Sequence, residues 1–197
     1  MKKISVYLVS IFFLFQTSSL SYSSNPKEFI QELVTDAIDR LSNTNLNEDE
    51  KVIFIEKIAL ENVDIHALSL YALGELRKSS DEQSLIRYKE SFKKYFLKTL
   101  TSRLKDYSKS KFEILNIDKK SSNYTIVNSK ISPNDGPEIK VDWRVYTKNP
   151  DKPLIRDLII EGLSLARTQK EEFASILNSN NNNINILIDR LEEFVNN

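Results

Sequence analysis

IRDLIIEGLSLARTQKEEFASIL, running from Ile155 to Leu177, decides how this chain folds. Its first half is aliphatic and β-branched and reads as a strand, while its second half is charged and carries Phe173, Ile176 and Leu177 at helical spacing. A strand therefore hands over to a helix between Ser164 and Thr168, and that helix continues to about Leu177. Gly162 falls inside the strand run, where a missing side chain marks a bulge, a bend or a close approach. A bend at this position lets a curved sheet close over something.

Upstream of this stretch the same alternation recurs in FEILNI from Phe112, YTIVNSKI from Tyr124 and EIKVDWRVY from Glu138, separated by the turn signals KKSSN, SPNDGP and KNPDKP. Four strands in succession predict an antiparallel meander. In the third, Ile139, Val141, Trp143 and Val145 share one face, and Lys140, Asp142, Arg144 and Tyr146 share the other. One face is packed and the other wet.

Helices precede the strands. Asn25 caps the first, with Pro26 at its first position and Phe29, Ile30, Leu33, Ala37, Ile38 and Leu41 at helical spacing. Asn47 with Glu50 opens the second, and Asp64 caps a third whose Gly74 permits a close contact. Ser80 to Gln83 has the form of a capping box and introduces the longest helix, about Asp81 to Ser108. Along one flank it carries Leu85, Tyr88, Phe92, Tyr95, Phe96, Leu100, Leu104 and Tyr107, a stripe that packs a core or lines a cavity. After Leu177 the SNNNN run breaks the chain, and Ile184 to Phe194 forms a last amphipathic helix. Helices, then strands, then helices predict a single α+β domain: a curved four-stranded antiparallel sheet wrapped on one side by helices.

The N-terminus reads as a secretory signal peptide. Lys2 and Lys3 are followed by an apolar run from Ile4 to Phe15 and a small, polar segment. Ser21 and Ser23 place cleavage after Ser23, giving a leader over 1–23 and a domain over 24–197. The apolar run is shorter than the ~20 residues a spanning helix needs. Removing the two leader lysines leaves 26 basic and 28 acidic residues, a formal charge of −2 that offers nucleic acid no basic surface. There is no cysteine, so lipoprotein anchoring, disulfides and thiolate metal sites are excluded. The domain is held by its core alone, and at this length folding buries roughly 70% of the unfolded surface. Low glycine, abundant Asn, Lys and Ile and the leader suggest an AT-rich bacterium, and hence the periplasm.

Reaction chemistry is sparse. His66 is the single histidine and reads as a partly buried structural residue. Three glycines cannot build a phosphate loop. Asp157 and Glu161 sit four apart on a strand, either as a carboxylate pair or, more simply, in ion pairs with Arg144 or Arg156. No cofactor and no metal is expected, and the inventory argues against an enzyme.

The order of motifs resembles a known family. DIHALSLYALGELRKSSDEQSLIRYKESFKKYFLKTLTSRLKDYS, from Asp64 to Ser108, is similar to the MlaC family of periplasmic phospholipid-binding proteins, the toluene-tolerance auxiliary components of an ABC transport system. VDWRVY from Val141 looks like a later strand of that family, and Asp157, Glu161, Gly162, Ser164 and Leu165 look like its Asp, Glu-Gly, Ser-Leu signature. The match spans nearly all of the chain after the leader. One departure stands out: Thr168, Gln169 and Lys170 replace an Asn-Tyr-Arg-like triplet, and lysine lacks the planar fork with which arginine grips a phosphate.

The resemblance implies a nuclear-transport-factor-like cone with an internal apolar cavity, and a monomeric carrier of glycerophospholipid. Its partners would be an outer-membrane MlaA-like lipoprotein complex and an inner-membrane ABC transporter with an MlaD-like MCE-domain ring, with outer-membrane lipid asymmetry as the outcome. On that reading Leu73, Leu76, Phe92, Phe96, Ile139, Val141, Trp143, Val145, Ile159, Leu163, Leu165 and Phe173 lie nearest the acyl chains, the strand positions chosen because odd numbers share a face. Lys93, Lys94, Arg144 and Lys170 are candidates for the head group or a partner. Carriage of a hopanoid or quinone remains an alternative, as does a small cone-fold enzyme using Asp157 and Tyr146.

Overall fold

The computed structural model describes residues 22–104 and 107–197, so the apolar leader expected before Tyr22 lies outside the described residues. Helices α1 (Pro26–Ser42), α2 (Glu48–Asn62), α3 (Ile65–Leu73) and α4 (Glu82–Leu104) come first, with a 3-10 turn over Gly74–Lys78. Strands β1 (Lys111–Ser121), β2 (Tyr124–Ser132), β3 (Ile139–Tyr146), β4 (Leu154–Ile160) and β5 (Leu163–Ser164) follow, and α5 (Leu165–Asn178) and α6 (Ile184–Asn196) close the chain.

Local chemistry sets most of these boundaries. The Asn25 side chain accepts from the backbone N–H groups of Lys27 and Glu28, with Pro26 supplying the preset φ of a first helical residue. Asn47 and Glu50 form a reciprocal capping box at α2. At α4 the cap is Asp81, whose carboxylate accepts from Ser84 N–H at 2.8 Å, rather than Ser80 as the sequence pattern suggests. That bond draws the Asp81 carboxyl below its ordinary value. Gly74, at φ 66, ends α3 in a conformation that costs a side-chain-bearing residue energy. Asn181 and Asn182, at φ 54 and 56, turn the chain between α5 and α6.

The strands form one sheet in the order β1-β2-β3-β4-β5, every pair antiparallel. The meander is as predicted, but five strands replace the expected four. The extra one is the two-residue β5, which folds back onto the end of β4 through Ile159↔Ser164 and Ile160↔Leu163. Glu161 (φ 48) and Gly162 (φ 83) are the two turn residues, both left-handed as a tight hairpin requires. The bend read from Gly162 is therefore a reversal that launches α5 directly at Leu165, within the Ser164 to Thr168 handover expected from the sequence.

Apolar residues gather in three clusters. One lies among α3, α4, α5 and α6 around Tyr88, Phe92, Phe173, Leu187 and Ile188. Another joins Phe29, Ile30, Leu33 and Val34 of α1 to Val127, Val141, Trp143, Val145 and Ile155 of the sheet. The third, around Leu41, Ile55 and Ile58, ties α1 to α2 and reaches Leu100 and Leu104 of α4. Small domains usually bury one contiguous core. This one is divided.

Candidate functional site

The division places the candidate site at the seam between the sheet cluster and the helical cluster. Val63, at the α2–α3 junction, packs against both, and Leu100 bridges the helical cluster to the third; both are only half-buried. On the sheet side, Phe112, Ile114, Ile131, Ile139 and Leu158 are half-buried and pack against the sheet cluster. These side chains are apolar and incompletely covered by the rest of the fold.

One end of the seam is stitched firmly. Val63 pairs with Ile155 as an isolated parallel bridge, and Asp64 N–H donates to the Ile155 carbonyl at 2.9 Å. Arg156 donates to the Asp64 carboxylate at 2.8 and 2.7 Å through Nε and Nη2, and to the Tyr124 hydroxyl at 2.9 Å through Nη1. Its guanidinium lies 3.4 Å from the centroid of the Tyr146 ring. Burial opposes the Arg156 charge, and the Tyr124 hydroxyl and Asp64 outweigh it, so the pKa is raised. Asp64 also accepts from Ala67 N–H, so one carboxylate caps α3 and anchors the helical layer to β4.

Asp157 does comparable work nearby. It is 5% exposed, accepts the Ser164 hydroxyl proton at 2.6 Å and Ala166 N–H at 3.0 Å, and so fixes the first turn of α5 to the sheet. The signature positions Asp157, Ser164 and Leu165 are thus a strand-to-helix joint. Glu161 points elsewhere: its carboxylate accepts from Lys140 N–H at 2.6 Å. Asp157 and Glu161 are therefore not a pair, and Asp157 pairs with neither arginine; Arg156 goes to Asp64. Tyr146 and Asp157 are likewise engaged separately, one beneath Arg156 and the other at α5. His66 is exposed rather than partly buried, because its place on α3 points away from the helical cluster.

The expected acyl-chain residues divide into three groups. Val141, Trp143 and Val145 are buried in the sheet cluster and Ile139 packs half-buried against it. The Trp143 indole N–H donates to Ser129 Oγ at 2.9 Å, and that hydroxyl donates to the Val141 carbonyl at 2.8 Å, so the polar atoms on this face are satisfied. Leu73, Phe92 and Phe173 are buried in the helical cluster, where Leu76 and Phe96 pack half-buried against it. The Phe173 ring meets Tyr88, Phe92 and Tyr95 at 6.4, 6.1 and 6.2 Å between centroids.

Ile159, Leu163 and Leu165 do not join the face of Trp143. A bulge between Arg144 and Val145 places Arg156 as an extra residue in β4, so Leu158 and Ile160 stand opposite Trp143 and Val141, while Ile159 stands opposite Asp142. Odd numbering stops marking one face at the bulge. Leu163 and Leu165 are 69% and 41% exposed, carried outward by the hairpin.

The four candidate cations are not assembled into one site. Lys93 pairs with Glu90 at 2.9 Å on α4, Lys94 is exposed on the same helix, and Arg144 is exposed on the outer sheet face. Lys170 lies 5.2 Å from the Tyr71 ring centroid, and its Cε would be 3.7 Å from a side chain at Gly74. The substituted triplet is structural here. Thr168 Oγ1 donates back to the Ser164 carbonyl, Gln169 accepts from the Tyr95 hydroxyl at 3.0 Å, and Lys170 covers α3.

Of the seam residues, Leu100 stands on the stripe expected for α4, and Leu158 lies within the strand run that opens at Ile155. The strand alternation contained Phe112, Ile114 and Ile131; nothing in the sequence marks Val63. An open depression of about 490 Å³, lined by Glu82, Gln83, Ile86 and Arg87, lies at the start of α4 and includes none of these side chains. Among the described residues no cluster of His, Asp or Glu could hold a metal ion, and no helix is long and apolar enough to cross a membrane.

Comparison with known proteins places this geometry. The profile of the family described as MlaC protein matches residues 31–193. No curated protein matches the chain. Among solved structures, the phospholipid-binding protein from Ralstonia solanacearum, in complex with a phospholipid, superimposes with a TM-score of 0.70. Identity is 19%, and the alignment covers 84% of this chain and 94% of that one. The two share a fold.

Proposed function

This chain belongs to the MlaC family, and on that premise we propose that it is a phospholipid carrier, a binding and transport protein rather than an enzyme. The acyl chains lie in the seam between sheet and helices, against Ile139, Val141, Trp143 and Val145 and their half-buried neighbours Ile114 and Leu158. Phe92 and Phe96 back the opposite wall, with Leu73, Leu76 and Phe173 behind them. Ile159, Leu163 and Leu165 stand outside that shelter. The observation that carries this reading is the divided core, in which two apolar clusters meet through half-buried side chains at Val63. A related fold holds a phospholipid in the Ralstonia solanacearum protein.

The energetics require such a seam. Burying a methylene is worth about 0.8 kcal/mol, so two chains of ~15 methylenes need on the order of 20 kcal/mol of apolar shelter on leaving a bilayer. Opening a pre-divided core costs less than disrupting a contiguous one, because fewer packed contacts are broken.

In this reading the chain is exported to the periplasm, its leader is removed, and it moves glycerophospholipid between MlaA-like and MlaD-like complexes as a monomer. Lys93, Lys94, Arg144 and Lys170, being dispersed, serve partner contact or the head group singly. The test is native mass spectrometry of protein purified from the periplasm without detergent, followed by organic extraction. The expected result is a bound glycerophospholipid mass that disappears in Ile114→Glu while the far-ultraviolet circular dichroism is unchanged. An extracted hopanoid or quinone would change the ligand class. A bare protein that also takes up no lipid from phosphatidylethanolamine–phosphatidylglycerol vesicles would overturn the reading.

A further inference from the structure

We infer that the leader is cut between Ser21 and Tyr22, so that Tyr22 is the first residue of the mature protein and a working part of its fold. The inference rests on the export reading above. It departs from the cut after Ser23 that the serine spacing first suggests.

Tyr22 is tied into the domain through both its ring and its hydroxyl. Its ring packs against the sheet cluster and meets Phe29 edge-on at 6.3 Å between centroids, with planes at 68°. Its hydroxyl donates to Asp36 Oδ2 at 3.1 Å, fourteen residues away on α1. Burial, then Asp36, Glu61 and Glu32, push the phenol pKa well above its ordinary value. Ser23 continues the pattern: its N–H donates to Glu32 at 2.7 Å and its hydroxyl to Glu28 at 2.7 Å. A cut after Ser23 would discard all of these and expose the Phe29 ring, which is 1% exposed with Tyr22 in place.

The sequence accommodates the earlier cut equally well. Signal peptidase reads small residues three before and one before the scissile bond. Ser19 and Ser21 satisfy those positions as well as Ser21 and Ser23 do. The new α-ammonium would arise one residue from the Ser23–Glu32 contact, where positive charge is favourable.

The full chain, with its own leader, is expressed in a Gram-negative host, and the periplasmic product is analysed by intact mass and N-terminal sequencing. The expected first residue is Tyr22. A first residue of Ser24 overturns the inference and leaves the export reading standing, whereas an uncut chain beginning at Met1 overturns the export reading itself. Two variants give independent readouts. Ser23→Phe leaves the first residue of the periplasmic product unchanged from the parent's if Ser23 lies after the cut, and moves that first residue or accumulates precursor if Ser23 is the last leader residue. Tyr22→Ala lowers the urea midpoint of the mature protein if Tyr22 is retained; a mature protein identical in mass and midpoint to the parent refutes the inference.

Discussion

Replacing Phe173 by alanine tests how the helical layer is held, and its cost follows from the structure. Phe173 is 2% exposed on α5 and meets Tyr88 and Phe92 edge-on, with interplanar angles of 79° and 89°. Returning a phenylalanine side chain to water costs about 1.5–3 kcal/mol, and each edge-to-face partner adds about 0.5–1.5 kcal/mol. The sum is about 4 kcal/mol, inside the ~3–5 kcal/mol typical of Phe→Ala in a core. With a urea slope of about 2 kcal/mol/M, the midpoint falls by about 2 M. Urea titration of lipid-free protein, followed by both circular dichroism and fluorescence, measures it. Trp143 is the single tryptophan and lies in the sheet cluster, so its emission reports the sheet while circular dichroism is dominated by the helices. Coincident curves, both shifted by about 2 M, are expected if the clusters unfold together through Val63 and the Asp64–Arg156 link. Phe173→Leu should recover more than half of the loss. A shift under about 0.5 M would refute the assignment of Phe173 to a packed core, and a circular dichroism shift without a Trp143 shift would refute the coupling of the layers.

Three further outcomes are expected. Asp157→Ala removes the carboxylate that receives the Ser164 hydroxyl and Ala166 N–H, and should cost about 1–3 kcal/mol in urea unfolding with slower exchange protection lost first at the start of α5. Gly162→Ala keeps open space around the new methyl but must hold φ 83, so thermal unfolding should show a loss of about 1 kcal/mol and no change in ligand occupancy. Glu192 accepts from Arg87 and Ser91, which hold its carboxyl below the ordinary value of 4.5. A depressed folded pKa gives stability that is complete above the unfolded value and lost as pH falls through the folded one. Glu192→Gln should therefore flatten the fall of the urea midpoint below about pH 4.5, and an unchanged acid profile would show that the pair contributes nothing in solution.

The succession of helices and of the four long strands is legible in the residues themselves, because most boundaries are written in local chemistry. Asn25-Pro26, Asn47 with Glu50, and Asp64 carry the orphan N–H groups of three helices, and those side chains make the expected bonds. Period-two alternation in β3 correctly set Val141, Trp143 and Val145 apart from Lys140, Asp142 and Arg144. The family resemblance was legible for the same reason, since motifs in order survive where contacts are unseen. Tertiary structure alone decided how those elements share the core. The bulge at Arg156 is one residue inserted into a ladder, invisible to a pattern that assumes unbroken alternation, and it moved Ile159 off the face of Trp143. Pairing of β5 with β4 turned a strand bend into a hairpin and left Leu163 in solvent. Above all, the separation of the core into clusters that touch at Val63 depends on which apolar surfaces meet across long stretches of chain. Burial energy is proportional to area and indifferent to partner, so the sequence specifies how much apolar surface is hidden and leaves its division to the fold.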